Sequence, residues 1–195
     1  EKIMEVKNDL HKYIVQFDNV LNENVLDNFT KLVKTFKFEK AGVIGNNKSI
    51  VEEKIRKTLS ITLSALNETS MTKVHWANFL NFNFKNYVDA YARLFKLDEK
   101  FLINDIQILK YVKSGHYKFH VDDCAVTNRS LSCIYFINDD YEGGDLHFKY
   151  PNSDDVTVIQ KKRNRIIVWP SNFLYPHSVK EVTKGERYSV VAWAQ

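Results

Sequence analysis

His116-Tyr117-Lys118-Phe119-His120-Val121-Asp122 is the stretch that decides how this chain is read. A His-x-Asp pair at the end of a strand, joined by a distant histidine, is the ligand set of a 2-His-1-carboxylate facial triad, which leaves half of an iron ion's coordination sphere open. His120 and Asp122 supply the pair, and His177 stands far downstream as the third candidate. His116, four residues before His120, would suit a zinc pair on a helix, but Gly115 and the β-rich surroundings argue against a helix there.

Beyond Asp98 the chain breaks into short β-rich runs separated by turn residues at fairly regular spacing. The runs are 105–113, 117–121, 130–138, 145–150, 156–160, 165–169, 175–180 and 186–194. Eight such runs predict a sandwich or a jelly-roll barrel. Gly143-Gly144 makes one reversal and the cluster from Lys161 to Asn164 another. If the strands run up and down, the loops 122–129, 151–155 and 170–174 share one end, the mouth, and the turns 139–144, 161–164 and 181–185 share the other. His120 and Asp122 then finish a strand running toward the mouth, and His177 begins one running away from it. All three candidate ligands meet at one end.

Arg187 opens the last strand at the far end, and Ser189, Val191 and Trp193 follow with the same parity. At roughly 3.3 Å per residue, Trp193 lies about 20 Å along the strand, toward the mouth. An arginine deep in a barrel needs an anionic partner, because an unpaired buried charge is costly. A small dicarboxylate reaching from the metal to Arg187 would supply one, in the bidentate geometry that arginine favours. Tyr111, on the neighbouring strand, reads either as a phenolic hydroxyl for that pocket or as an ordinary strand tyrosine.

The first half of the chain reads as support. Tyr13 to Phe17 predicts a short strand, and Asp18 to Asn22 supplies turn and cap residues. Val25, Leu26, Phe29, Leu32, Val33 and Phe36 recur at helical spacing, and Lys40 to Lys48, with its glycines and paired asparagines, predicts a loop. Thr58 to Ala65 alternates with period two, as a half-buried strand does, although a helix running on from Ile50 fits as well. Ser70 or Thr72 caps a further helix whose stripe is Trp76, Leu80, Phe84, Tyr87, Val88, Tyr91, Leu94 and Phe95, a core face with His75 beside it as a structural histidine.

Composition bounds the rest. A chain of 195 residues with 44% hydrophobic residues suits one well-buried domain. The charge of +4 is a mild excess without a single-sign tail, so it does not point to nucleic acid, and Lys161, Lys162, Arg163 and Arg165 read as a solvated turn. Cys124 and Cys133 are too few for a disulfide framework, which implies free thiols and a reducing, cytoplasmic setting. The sequence begins at Glu1 without a charged-then-apolar leader, and no apolar run reaches membrane-spanning length.

Taken together, Tyr111, GHYKFHVD from Gly115 to Asp122, RSLSCIYFIND from Arg129 to Asp139, YEGGD from Tyr141 to Asp145, WPSNFLYPHSV from Trp169 to Val179 and GERYS from Gly185 to Ser189 resemble the 2-oxoglutarate and Fe(II)-dependent oxygenases of the prolyl 4-hydroxylase-like kind. The resemblance covers roughly 105–195, with residues 1–104 matching the family's supporting region more loosely. It implies a mostly β domain over 1–195, with an eight-stranded double-stranded β-helix (jelly-roll) core at 105–195 and N-terminal helices packed on one sheet. It implies Fe(II) on His120, Asp122 and His177, and 2-oxoglutarate with its distal carboxylate on Arg187 and Tyr111, assisted by Ser189. Arg129, Trp193 and Tyr117 would shape the substrate's site, and ascorbate would support turnover. Phe136 departs from the second tyrosine of oxygen-sensing relatives, and Arg187 from the lysine of the collagen-type enzymes, which draws the chain toward the small bacterial, viral and oxygen-sensing branches.

The reaction so implied is hydroxylation of prolyl residues in a peptide or protein, coupled to oxidative decarboxylation of 2-oxoglutarate to succinate and CO2. The alternative is the same chemistry on another amino acid, a small molecule or a nucleobase. A nucleic-acid dealkylase should carry its basic surface at the mouth, whereas 161–165 maps to the opposite end. A non-catalytic module on this barrel would have lost a ligand, and a halogenase needs the position that Asp122 fills.

Overall fold

The structure is a computed structural model that describes residues 9–195, apart from 46–47, 66, 124–127 and 152. A single 3-10 turn, Leu10–Tyr13, leads into β1 (Val15–Asp18), so the first strand starts two residues later than its apolar run predicts. Helix α1 (Glu23–Val33) follows, capped by the Asn22 side chain, which accepts from the Asn24 amide. Next come β2 (Glu39–Lys40), β3 (Val43–Gly45), β4 (Lys48–Ile50), β5 (Arg56–Lys57) and β6 (Leu59–Thr62). Helix α2 (Met71–Phe95) has the Ser70 hydroxyl as its cap and ends at Lys96 in the left-handed conformation.

The remaining strands are β7 (Ile103–Tyr111), β8 (His116–His120), β9 (Leu131–Phe136), β10 (Glu142–Gly143), β11 (Leu146–Lys149), β12 (Val156–Ile159), β13 (Arg165–Pro170), β14 (His177–Val179), β15 (Val182–Lys184) and β16 (Arg187–Ala194). They build a seven-stranded sheet in the order β1-β13-β9-β16-β7-β6-β2 and a five-stranded sheet in the order β12-β11-β14-β8-β5. This is the jelly roll expected, with the first half of the chain adding strands to both sheets. Where a loop was expected at 40–48, β3 pairs with β4 as a hairpin. Thr58 to Ala65 does hold a strand, β6, paired with β7.

Two apolar layers position the site. On one face of the larger sheet, Leu26, Phe29 and Val33 of α1 and Leu80, Phe84 and Val88 of α2 pack on Ile108, Tyr135, Ile166 and Val190. Between the sheets, Leu109, Tyr111, Phe136, Trp169, Val191 and Trp193 meet Leu146, Phe148 and Val179. Each fully buried side chain of this size contributes roughly 1.5–3 kcal/mol. Strand alternation thus assigns Val190 to the helices and Val191 to the interior. Leu94 departs from the α2 stripe and is exposed, while the next residue, Phe95, still packs on the core. His75 lies against Trp76 and Phe79, a structural position.

The basic cluster at 161–165 does hold a partly exposed turn, but its charges are paired rather than simply solvated. Arg165 and Lys162 both bind the Asp18 carboxylate, with Arg165 Nε 2.6 Å and Lys162 Nζ 2.7 Å from it. Arg163 pairs with Glu23 and, at 2.6 Å, with Asp27. The cluster fastens β1 and α1 to the start of β13. Cys133 is buried and free, its thiol pushed up to about 12 by burial, whereas Cys124 lies outside the described residues. No described helix is long and apolar enough to cross a membrane.

Candidate metal and cosubstrate site

Antiparallel pairing of β8 with β14 sets His177 opposite His120, their ring centroids 4.3 Å apart. Asp122 lies just past the end of β8, its carboxylate oxygens 3.7 Å from His120 Nε2 and 3.4 Å from His177 Nε2. One donor atom from each residue lies within 4.8 Å of the others. The His120 Nδ1 faces the Lys118 carbonyl at 2.9 Å, and the His177 Nδ1 faces the Tyr175 carbonyl at 3.1 Å. A ring nitrogen facing a carbonyl carries the proton, which leaves each Nε2 lone pair turned toward Asp122.

The carboxylate is held from behind. Ser132 Oγ donates to Asp122 Oδ2 at 2.7 Å and lies 2.7 Å from Ser171 Oγ. Burial works against ionisation of Asp122, but the His177 and His120 imidazoles, with Ser132 and Trp193, outweigh it and keep its pKa below the usual carboxylate value. Burial, and then the nearby His177, hold His120 well below the ordinary imidazole pKa. These two shifts favour the metal-binding forms of the pair, a neutral His120 imidazole and an ionised Asp122 carboxylate.

Arg187 faces Tyr111 across the β16–β7 pair, at the opposite end from Trp193, which pairs with Ser132. It is 0% exposed, and Nη1 donates to Ser189 Oγ at 3.1 Å. Its Cζ lies 4.9 Å from the Tyr111 ring centroid and 5.3 Å from that of Phe136. Among the described residues, Arg187 Nε and Nη2 and the hydroxyl of buried Tyr141 make no hydrogen bond of ordinary geometry, although Arg187 lies close enough to Tyr141 to act on its hydroxyl. Gly144, at φ +64°, lets the chain pass close, since a Cβ there would lie 3.1 Å from Arg187 Cδ. Unpaired buried donors beside a cation fit a carboxylate, and the triad fits a divalent metal. The residues present therefore suit Fe(II) and 2-oxoglutarate.

At the mouth, the Arg129 guanidinium stacks on Trp193, with Cζ 3.7 Å from the ring centroid. Its Nη1 donates to the Asp122 carbonyl at 3.3 Å, and Nη2 lies 3.5 Å from Asp105 Oδ2. Asp105 adopts φ +51°, next to the slip in β7–β16 pairing between Val191 and Trp193, a bulge of the kind that re-aims side chains beside sites. Tyr117 stacks on His120 at 3.5 Å between centroids, and burial pushes its hydroxyl up to about 12.

The structure thus gathers the triad at one end of the barrel and Arg187, Tyr111 and Ser189 at the other, with Arg129 and Trp193 beside Asp122. Sequence reasoning missed Ser132, Ser171 and Tyr141. Ser132 was within reach, since it lies on the third core strand near the mouth; Tyr141 had only the neighbouring Gly143-Gly144 reversal as a signal.

Residues 106–195 match the sequence model of the 2OG-Fe(II) oxygenase superfamily, whose members use Fe(II), 2-oxoglutarate and O2. The chain is 37% identical over 70 residues to prolyl 3-hydroxylase 3 of Homo sapiens, a match spanning 35% of this chain and only 10% of that relative's length. Its fold is similar to that of a prolyl-4-hydroxylase from Pseudomonas putida, with a TM-score of 0.69 at 17% identity, covering 93% of this chain and 91% of the other. It is also similar to a prolyl hydroxylase from Trichoplax adhaerens in complex with a hypoxia inducible factor peptide fragment, with a TM-score of 0.68 at 19% identity, covering 93% and 83%.

Proposed function

We propose, from the premise that the barrel half of this chain, residues 106–195, belongs to the 2OG-Fe(II) oxygenase superfamily, that the protein hydroxylates prolyl residues of a peptide or protein. The observation that carries the reading is the Arg129–Trp193 stack beside Asp122, a walled mouth directly above the candidate metal ligands. The likeness to a prolyl 3-hydroxylase supports the same substrate class.

In this reading His120, Asp122 and His177 hold Fe(II), and Arg187 takes the distal carboxylate of 2-oxoglutarate with Tyr111, Ser189 and Tyr141. When bound, the metal, cosubstrate and O2 supply the oxidising chemistry, and succinate and CO2 are released. The chain's own part is orientation. The Lys118 and Tyr175 carbonyls fix the two imidazoles, Ser132 holds Asp122, and the apolar walls from Phe148 and Trp169 keep water from the reacting centre. Arg129, Trp193 and Tyr117 orient the polypeptide, and ascorbate serves as a supporting reductant.

Hydroxylation at C4 follows from the likeness in motifs, and the prolyl 3-hydroxylase match favours C3 as a second reading. The test is succinate release with Fe(II), 2-oxoglutarate and ascorbate across a panel of proline-containing peptides, followed by mass spectrometry and NMR of the product. A hydroxyl on proline is expected, and its carbon separates the two readings. Turnover with nucleosides or free amino acids but no peptide would overturn the prolyl assignment.

A further inference from the structure

A second charged cavity lies outside the site just described. It measures about 120 Å³ and sits where the chain crosses from β5, in the smaller sheet, to β6, in the larger one, with Thr58 at the crossing. Lys40, Arg56, Lys57 and Lys110 line it, against Glu53 as the one carboxylate among the described residues of its wall. Lys40 is paired with Glu53 at 2.7 Å, and Lys110 with Glu186 at 2.7 Å. Arg56 and Lys57 meet neutral acceptors instead. Arg56 Nη1 donates to the Gly42 carbonyl at 2.9 Å, and Lys57 Nζ donates to the Ser114 hydroxyl.

Two buried polar atoms on its lining residues, Arg56 Nε and the hydroxyl of Thr58, which is only 6% exposed, have no partner among the described residues. Buried donors of this kind are ordinarily satisfied, and here both belong to residues facing a cavity with excess positive charge. Val51, Leu59 and Val112 supply an apolar wall. The cavity is distinct from the Arg187 pocket. Lys110, on β7, and Val112, just past its end, flank Tyr111 and so point to the opposite face, and Lys110 lies over the ring of Tyr188, on the helix side of the sheet.

We propose that this cavity is a second anion site, built for a carboxylate on a short apolar stem. The cations and the Thr58 hydroxyl take the carboxylate, and the aliphatic wall takes the stem, a division that disfavours inorganic phosphate or sulfate. Such a group is found on a glutamate side chain of a polypeptide and on a free short-chain monocarboxylate. Arg56 Cζ stands 4.7 Å over the Tyr117 ring, which in turn stacks on His120, so an occupant is two ring contacts from the metal ligands. The proposal does not depend on prolyl hydroxylation.

The test is an NMR titration of the whole protein with N-acetyl-glutamate amide, N-acetyl-glutamine amide and butyrate, on the wild type and on Arg187→Ala, Arg56→Gln and Thr58→Val. The acid should bind wild type and Arg187→Ala equally, the glutamine amide should not bind, and Arg56→Gln should weaken the acid by about tenfold, in keeping with the strength of charge-assisted hydrogen bonds. Thr58→Val removes one hydroxyl at nearly constant volume and should weaken it severalfold, so the test survives if Arg56→Gln fails to fold. Butyrate binding as well as the acid assigns the site to free monocarboxylates, and tighter binding of the amide-flanked acid assigns it to a polypeptide side chain. Equal affinity for acid and amide, no saturable binding, or binding lost in Arg187→Ala but kept in Arg56→Gln would overturn the proposal.

Discussion

The hydroxyl of Ser132 donates to Asp122 Oδ2 at 2.7 Å, so one lone pair of the candidate metal ligand is already taken by β9 of the facing sheet. The carboxylate is thereby held in one orientation, with Ser171 steadying the serine in turn. Supporting contacts of this type are worth about 10–100-fold in metal affinity. Ser132→Ala is expected to weaken Mn(II) binding by about that factor, and Ser132→Thr to restore most of it. Titration calorimetry of the metal reads both. An affinity for Ser132→Ala indistinguishable from wild type would remove this hydroxyl from the support of the site.

Two nitrogens of fully buried Arg187 have no partner among the described residues, so an apolar replacement of similar volume strands no opposite charge. Arg187→Met should therefore leave the thermal midpoint of the ligand-free protein unchanged or raise it. The stabilisation by 2-oxoglutarate should disappear. In the wild type, ligand at a hundred times its Kd adds about 2.7 kcal/mol, which is roughly 5–10 °C for a chain of this length. Differential scanning fluorimetry with and without 2-oxoglutarate measures it, and an equal ligand-induced rise in the variant would contradict the cradle.

Asp18 answers to pH in a definite direction. Hydrogen bonds from Arg165 and then Lys162 hold its pKa well below the usual carboxylate range. A carboxylate depressed by folding stabilises fully above its unfolded pKa, about 3.9, and loses that contribution as pH falls through the folded value. The cluster is partly solvated, so Asp18→Asn should cost only roughly 1 kcal/mol. Urea unfolding should give a gap between wild type and variant that is flat from neutral pH to about 4 and narrows below it. A gap that widens on acidification would show that Asp18 is not the group responsible.

The legible part of this molecule was the part with a period. Alternation along β16 sorted Arg187, Ser189 and Trp193 onto the interior face, and counting strands brought His177 to His120, as β8–β14 pairing bears out. What went unread depends on partners distant in sequence. The carboxylates that neutralise Arg163 and Arg165 lie in β1 and α1, more than a hundred residues earlier, and nothing local marks them as partners. The pairing of β3 with β4 hid because Gly42, Gly45 and the paired asparagines of this stretch are, as sequence, equally those of a loop. Ser132 and Ser171 are ordinary strand and turn residues until the fold brings them together. Leu94 stands at the margin of its helical stripe, where spacing alone does not separate an exposed residue from a packed one such as Phe95.

In the larger sheet β16 lies between β9 and β7, and both of those strands are synthesised long before it. The half-sheet β2-β6-β7 and the half-sheet β1-β13-β9 can each pair internally while still on the ribosome, yet each then presents an unpaired edge. Only when β16 emerges do the two halves join, through pairings that span some eighty residues to β7. The same strand brings Arg187 to one end of the interior and Trp193 to the other, so closure of the sheet and assembly of the site are one event. Until β16 pairs, each half-sheet carries an open edge of the kind that associates edge to edge.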